Sequence, residues 1–169
     1  MKSKFVVLAA AMLLLAACGS DEDAAPVTTA DAGTTATTQP TISSAPSYAP
    51  GSVEEFNAEV GDRVFFGYDR YDLTPEAQGV LQRQVAWLQS NPQWRVVVEG
   101  HCDERGTREY NLALGERRAN AAANYMVALG LDPNRISQVI SYGKERPAVL
   151  GSDETAWAQN RRAVTVLTQ

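Results

Sequence analysis

The sequence predicts a two-layer α/β sandwich over residues 53–169, an α+β arrangement with helices packed on a mixed sheet. Three observations carry that expectation. Apolar, β-branched runs alternate with helical patterns in the order β-α-β-α-β, a last helical piece and strand follow, and turn residues stand at the junctions.

Each element has a local reason. Arg63-Val64-Phe65-Phe66 reads as a short strand between Gly61-Asp62 and Gly67. Thr74-Pro75 starts a helix, with proline at the first helical position and Glu76 near the positive end of the dipole. Val80, Leu81, Val85 and Leu88 continue its apolar stripe until Asn91-Pro92. Val96-Val97-Val98, within Trp94 to Glu99, is apolar on both faces and predicts a central strand. An alanine-rich helix follows from about Arg108 to Leu129 and closes at Gly130. Asp132-Pro133-Asn134 makes a turn or short helical start before a strand over Ile136 to Tyr142. Gly143 to Pro147 reads as a loop, Thr155 to Gln159 as a short helix, and Ala163 to Leu167 as a last, alternating strand.

The N-terminal third is different. Lys2 and Lys4 precede a charge-free apolar run from Phe5 to Ala17. That run is too short for a membrane-spanning helix, which needs about 20 residues, and suits the apolar region of a secretory signal over residues 1–17. Leu15-Ala16-Ala17-Cys18 looks like a bacterial lipobox, in which the cysteine is acylated and becomes the first mature residue. Two or more acyl chains, at about 0.8 kcal/mol per buried CH₂, anchor a protein without a transmembrane helix. The plainer alternative is a secretory signal that happens to contain Cys18. Gly19 rather than aspartate follows it, which by resemblance to Gram-negative lipoproteins implies sorting to the outer membrane. Residues 18–52 then form a tether: 23 of the 34 residues from 19 to 52 are Thr, Ala, Ser or Pro, so little apolar surface is available to offset the entropy of ordering. A flexible coil of this length spans roughly 30 Å root-mean-square and about 115 Å when taut. A dispensable low-complexity tail has the same composition.

Chain totals exclude some functions. At 169 residues and 44% hydrophobic content, the chain holds one ordinary domain plus extra length. A net charge of −5 argues against nucleic-acid binding by bulk electrostatics. One histidine and two cysteines leave little for a metal cluster or a disulfide framework, and no cofactor is implied.

The densest polar cluster, Gly100 to Thr107, joins the central strand to the long helix. Such a loop presents free backbone N–H groups and often holds ligands. On the helix, Asn111, Leu114 and Arg118 stand at i, i+3 and i+7, within about 60° of one another, beside an apolar face of Leu112, Ala119, Ala123 and Met126. Asp103 can accept from an ammonium while Arg118 grips a carboxylate, so the groove suits a zwitterion. A surface Asp103–Arg118 ion pair of little energetic value fits the same spacing. Cys102 lacks a partner once Cys18 is lipidated and reads as a small buried residue on the Val96/Val98 side, with a reactive thiol as the alternative. A His101–Cys102 nucleophile is disfavoured because adjacent strand residues point to opposite faces and no second histidine exists. Asp103-Glu104 cannot flank a glycosidic bond from two sides. Arg161-Arg162 reads as structural ion pairs rather than an anion site. Trp87, Trp94 and Trp157 read as core or groove edges rather than sugar platforms.

Val98 to Thr107, followed by Glu109-Tyr110-Asn111-Leu112 and Leu114 to Ala119, resembles the OmpA-like peptidoglycan-binding domains, most closely those of the peptidoglycan-associated lipoproteins of the Tol-Pal system. Phe65 to Asp72, Ser141 to Pro147 and Asn160-Arg161-Arg162 carry the same likeness, which covers roughly residues 60–169. The resemblance implies an outer-membrane lipoprotein, not an enzyme, whose periplasmic domain binds peptidoglycan non-covalently through the diaminopimelate of its stem peptide. Asp103 and Arg118 match the pair that holds the amino-acid head of that residue. Asn111 and Leu114 match the helix positions lining the groove, and Tyr68-Asp69 its other wall. His101-Cys102 departs from pairs common in the family. The resemblance further implies a role in envelope integrity and cell division, and TolB as a partner whose binding surface overlaps the wall-binding groove. Two rivals are an OmpA-like lipoprotein outside the Tol-Pal system and a cell-wall hydrolase.

Overall fold

The computed structural model describes residues 48–169. The expected signal over 1–17, Cys18 and the tether through residue 47 lie outside the described residues. Four strands, β1 (Arg63–Phe65), β2 (Arg95–His101), β3 (Ile136–Gly143) and β4 (Arg162–Thr168), form one sheet in the order β1-β4-β2-β3. Strand β2 pairs parallel with β3 and antiparallel with β4, and β1 closes the far edge antiparallel to β4. The Val96-Val97-Val98 run therefore occupies an inner position with a neighbour on each side, as its two-faced apolarity predicts. A parallel pair needs a long crossover, and α3 (Arg108–Ala128) supplies it between β2 and β3.

The two long helices begin where short polar side chains can cap them. Thr74 accepts from the Ala77 N–H at the start of α2 (Pro75–Ser90), and Thr107 accepts from the Tyr110 N–H at the start of α3. Ala77, Leu81, Val85 and Leu88 of α2 and Ala119, Ala122, Ala123 and Met126 of α3 pack with Val96 and Val98 into the core. Gln84 is buried among them with a partner at each end of its amide: it donates to the Gly61 carbonyl at 2.6 Å and accepts from the Thr165 hydroxyl at 2.8 Å. The short helix α4 (Glu154–Asn160), capped by Asp153, leads into β4.

One element was not expected. Ser52 caps a short helix, α1 (Val53–Glu55), which continues as a single π-helical turn over Phe56–Val60. Glu55 accepts from the Gly51 N–H and from the Trp87 indole, while Trp94 donates to the Gly51 carbonyl. Phe56 is fully buried with its ring centroid 4.9 Å from that of Trp87. The end of the expected tether, at Gly51 and Ser52, is thus hydrogen-bonded to the folded unit.

A glycine pair sets how closely α3 lies on the sheet. A Cβ on Gly100 would sit 1.8 Å from the Gly115 carbonyl oxygen, and one on Gly115 would sit 2.4 Å from the Ser141 hydroxyl. With neither present, the Ser141 hydroxyl reaches the Leu112 carbonyl at 2.7 Å. This contact brings the first turns of α3 over the carboxyl end of β2, where the Asp103 loop begins.

Candidate ligand-binding cavity

A cavity of about 140 Å³ opens at that junction. Tyr68, Asp69, Asp103, Asn111, Leu114 and Arg118, the residues expected to form one groove, all line it. Cys102, Arg105, Gly106 and Tyr110 complete the lining.

Arg118 forms the floor. It is 1% exposed, and its guanidinium donates to three carbonyl oxygens: Arg70 at 2.8 Å, His101 at 2.9 Å and Gly67 at 3.1 Å. Gly67 and Arg70 are the two ends of the Tyr68-Asp69 turn, closed by an Arg70 N–H bond to the Gly67 carbonyl. Arg118 therefore joins helix, strand end and turn. Asp69 holds that turn with a φ of 55°, a left-handed conformation that aspartate tolerates better than most residues. A guanidinium has five N–H donors. Three are used here, which leaves one on each terminal nitrogen. Burial lowers the pKa of Arg118, but arginine remains charged throughout the ordinary pH range.

Spacing alone placed Asn111, Leu114 and Arg118 on a polar stripe beside the core. The structure corrects this: all three are buried, continuing the core face of α3 toward its N-terminus. Nor is there a surface ion pair between Asp103 and Arg118. Asp103 is 5% exposed and takes other partners. One oxygen accepts from the Arg105 backbone N–H at 3.1 Å and side-chain Nε at 3.2 Å. The other accepts from Arg105 Nη2 at 2.6 Å and Arg161 Nη1 at 3.5 Å. Burial pushes the Asp103 carboxyl upward, but these donors outweigh it and hold the pKa below its ordinary value.

The loop is braced from two sides. The Asn111 amide donates to the Arg105 and Thr107 carbonyls, and Lys144 donates to those of Glu104 and Gly106. At the rim, Tyr68 is 61% exposed and Tyr110 donates its phenol to Asp69. The Arg105 guanidinium lies between two rings, 4.1 Å from the centroid of Tyr68 and 4.0 Å from that of Trp157. Trp157 is thus an edge of the site, whereas Trp87 and Trp94 pack against the core. Sequence reasoning assigned no role to Arg105 or Tyr110. Both lie inside the motifs named above, but the rings that flank Arg105 and the carboxylate that Tyr110 reaches lie far away in the chain.

His101 and Cys102 turn to different surroundings. Cys102 is buried, and its thiol donates to the Asn111 carbonyl at 3.3 Å. Burial pushes its pKa up to about 11, against the pull of nearby Arg118. The His101 ring is buried against Tyr142. Burial, with Arg162 and Arg146 nearby, lowers its pKa to about 4. A thiolate–imidazolium pair is therefore not formed here. Arg161 pairs with Asp103 and Glu154, as expected of a structural arginine. Arg162 does not fit that expectation; its side-chain bonds run to the carbonyls of Asn160 and Arg146.

This architecture of a mixed sheet, a strand-to-helix loop and a small polar cavity is that of an α/β domain of the OmpA class, and residues 65–161 match the OmpA family. A peptidoglycan-associated lipoprotein of Mesorhizobium japonicum is 44% identical over 166 residues, covering 98% of this chain and 92% of the relative. Another, from Rhizobium meliloti, is 52% identical over 118 residues, covering 70% of this chain and 66% of its own length. Among solved structures, the peptidoglycan-associated lipoprotein of Burkholderia pseudomallei superposes with a TM-score of 0.63 at 39% identity, over 68% of this chain and 98% of that one. The C-terminal domain of Helicobacter pylori MotB, at 18% identity and a TM-score of 0.59, covers 64% of this chain and 84% of its own and shares the fold. The chain belongs to the OmpA family, in the branch of the peptidoglycan-associated lipoproteins.

Proposed function

We propose that this domain binds peptidoglycan non-covalently by holding the diaminopimelate head of the stem peptide in the cavity. The observation that carries the reading is the placement of Asp103 and Arg118 on one cavity of about 140 Å³ without pairing to each other. The side-chain end of diaminopimelate presents an ammonium and a carboxylate on one carbon. Arg118 keeps one N–H on each terminal nitrogen for the carboxylate, and Asp103 is the matching acid for the ammonium. Leu114 supplies an apolar wall, and Tyr68 and Asp69 the facing one. Acylation at Cys18 would anchor the chain in the outer membrane, with residues 18–50 spanning to the wall. The role is mechanical attachment in the periplasm rather than catalysis. Among the described residues no group of three His, Cys, Asp or Glu side chains could hold a metal ion, and no helix is long and apolar enough to cross a membrane.

The likeness to peptidoglycan-associated lipoproteins supports placing the chain in the Tol-Pal system, with TolB as partner and a part in envelope integrity and cell division. Co-sedimentation of the full-length lipoprotein with purified sacculi tests the wall-binding role. Wild type is expected in the pellet, and folded Asp103→Asn in the supernatant. Equal sedimentation of both overturns the site assignment. Capture of purified TolB by the same protein separates a Tol-Pal member from an OmpA-like lipoprotein with other partners, and clearing of a sacculus suspension would reveal a hydrolase.

A further inference from the structure

We infer that Arg105 is a tethered internal competitor: its guanidinium occupies the ammonium seat on Asp103 while the cavity is empty and shifts toward Glu154 when a ligand's ammonium arrives. The inference rests on the diaminopimelate reading above and adds what sets the affinity of that site.

The acceptor capacity of Asp103 is limited. An ionised carboxylate offers about four lone-pair positions. All are engaged, by the backbone N–H, Nε and Nη2 of Arg105 and by Nη1 of Arg161. An incoming ammonium finds no vacant acceptor until a donor leaves. Arg161 is the harder one to move. It is buried, donates to the Phe66 carbonyl at 3.0 Å, and reaches Glu154 at 2.6 Å. Arg105 is partly exposed and sits on the loop itself.

A second seat lies within reach. Arg105 Nη1 is 3.8 Å from the Glu154 oxygen that Arg161 does not hold. The rings of Tyr68 and Trp157 lie against the guanidinium and tolerate a slide within its plane, so their cation–π attraction persists along such a path. Replacing the guanidinium by an ammonium on Asp103 exchanges one cation for another. The displacement reduces what the ligand gains at this seat without abolishing it, and the rest of its affinity comes from its carboxylate at Arg118.

Competition at a shared seat makes a particular prediction. Removing the competitor strengthens every ligand that brings an ammonium by the same factor, and strengthens no other. The test is isothermal titration of full-length wild type, Arg105→Gln and Glu154→Gln. Three muropeptides serve as probes: one whose tripeptide stem ends in meso-diaminopimelate, the same stem ending in lysine, and the diaminopimelate stem with its free amine acetylated. Arg105→Gln is expected to tighten the first two alike by about fivefold, the scale of a partly exposed ion pair, and to leave the acetylated stem unchanged. Glu154 is exposed, and in Glu154→Gln the amide oxygen can still accept from Arg161; the substitution removes the charge of the second seat and weakens the diaminopimelate stem about threefold. Weaker or unchanged binding by folded Arg105→Gln, or an equal gain for the acetylated stem, overturns the competitor role while leaving the function standing. Failure of wild type to bind the diaminopimelate stem overturns both.

Discussion

Two arginines border the cavity and are held in opposite ways. Arg118, on the floor, is buried and bound by three carbonyls, two from the ends of the Tyr68-Asp69 turn and one from the end of β2. Arg105, on the rim, is bound by a carboxylate and two aromatic faces, and a second carboxylate stands beside it. The difference teaches that one charge serves as architecture and the other as an adjustable contact. The floor should therefore respond to mutation mainly through stability, and the rim mainly through binding.

The largest effect is expected where helix and sheet touch beneath the floor. Gly100→Ala places a methyl group 1.8 Å from the Gly115 carbonyl oxygen, a backbone atom that cannot swing aside. A loss of about 4 kcal/mol or more in unfolding free energy, measured in urea, is expected, at the upper end for single substitutions. A fully stable Gly100→Ala would break the account of how α3 is positioned. Arg118→Met comes next. It strips three carbonyls of a buried donor and should cost about 3 kcal/mol, since each orphaned polar group costs about 1–3 kcal/mol less what water recovers. A stable Arg118→Met that merely fails to bind would leave Arg118 its ligand contact and remove its framework role.

A pH experiment sharpens the same contrast. The His101 carbonyl accepts from Arg118, while its ring lies buried with a pKa lowered to about 4. It is the only histidine in the chain. The unfolded chain takes up its proton near the ordinary value of about 6.5. The stabilisation from a neutral, buried ring is therefore complete above that pH, declines as pH falls, and stops declining near 4, where the folded state also protonates. The decline should amount to at most roughly 3 kcal/mol between pH 7 and pH 4. Urea titrations of wild type and His101→Phe should differ by that slope in that window, and parallel curves would contradict it. The smallest effect belongs to the rim: Tyr110→Phe removes the bond to Asp69 at an exposed position and should change stability by less than about 0.5 kcal/mol. A stem-peptide affinity that nonetheless falls severalfold would mark the rim as a binding element.

Features with local causes were legible in the sequence. Thr74-Pro75 and Thr107 announce their helices because capping is a matter of a few adjacent residues, and Val96-Val97-Val98 declares its inner place in the sheet by composition. Helix α1 was missed although Ser52 and Glu55 carry a capping-box spacing, because one turn is too short to show periodicity and its stability comes from Phe56 on Trp87. In the site, i, i+3, i+7 spacing was enough to group Asn111, Leu114 and Arg118. Their burial was not legible, since it depends on the glycine contact between α3 and β2 and on carbonyls at Gly67, Arg70 and His101. Arg105 escaped notice for the same reason: its position between Tyr68 and Trp157 exists only once the sheet has brought those segments together.

Because Arg118 is part of the framework, varying the ligand tests the site more cleanly than deleting its floor. The most direct measurement is the affinity of the unaltered full-length chain for two muropeptides that differ only at the end of the stem, meso-diaminopimelate or lysine. Lysine keeps the ammonium and lacks the carboxylate. Loss of the charge-assisted bonds to Arg118 should weaken binding at least about 30-fold, or roughly 2 kcal/mol. Equal affinity for the two would show that Arg118 holds no carboxylate, and the account of the cavity as a site for the zwitterionic head would fail.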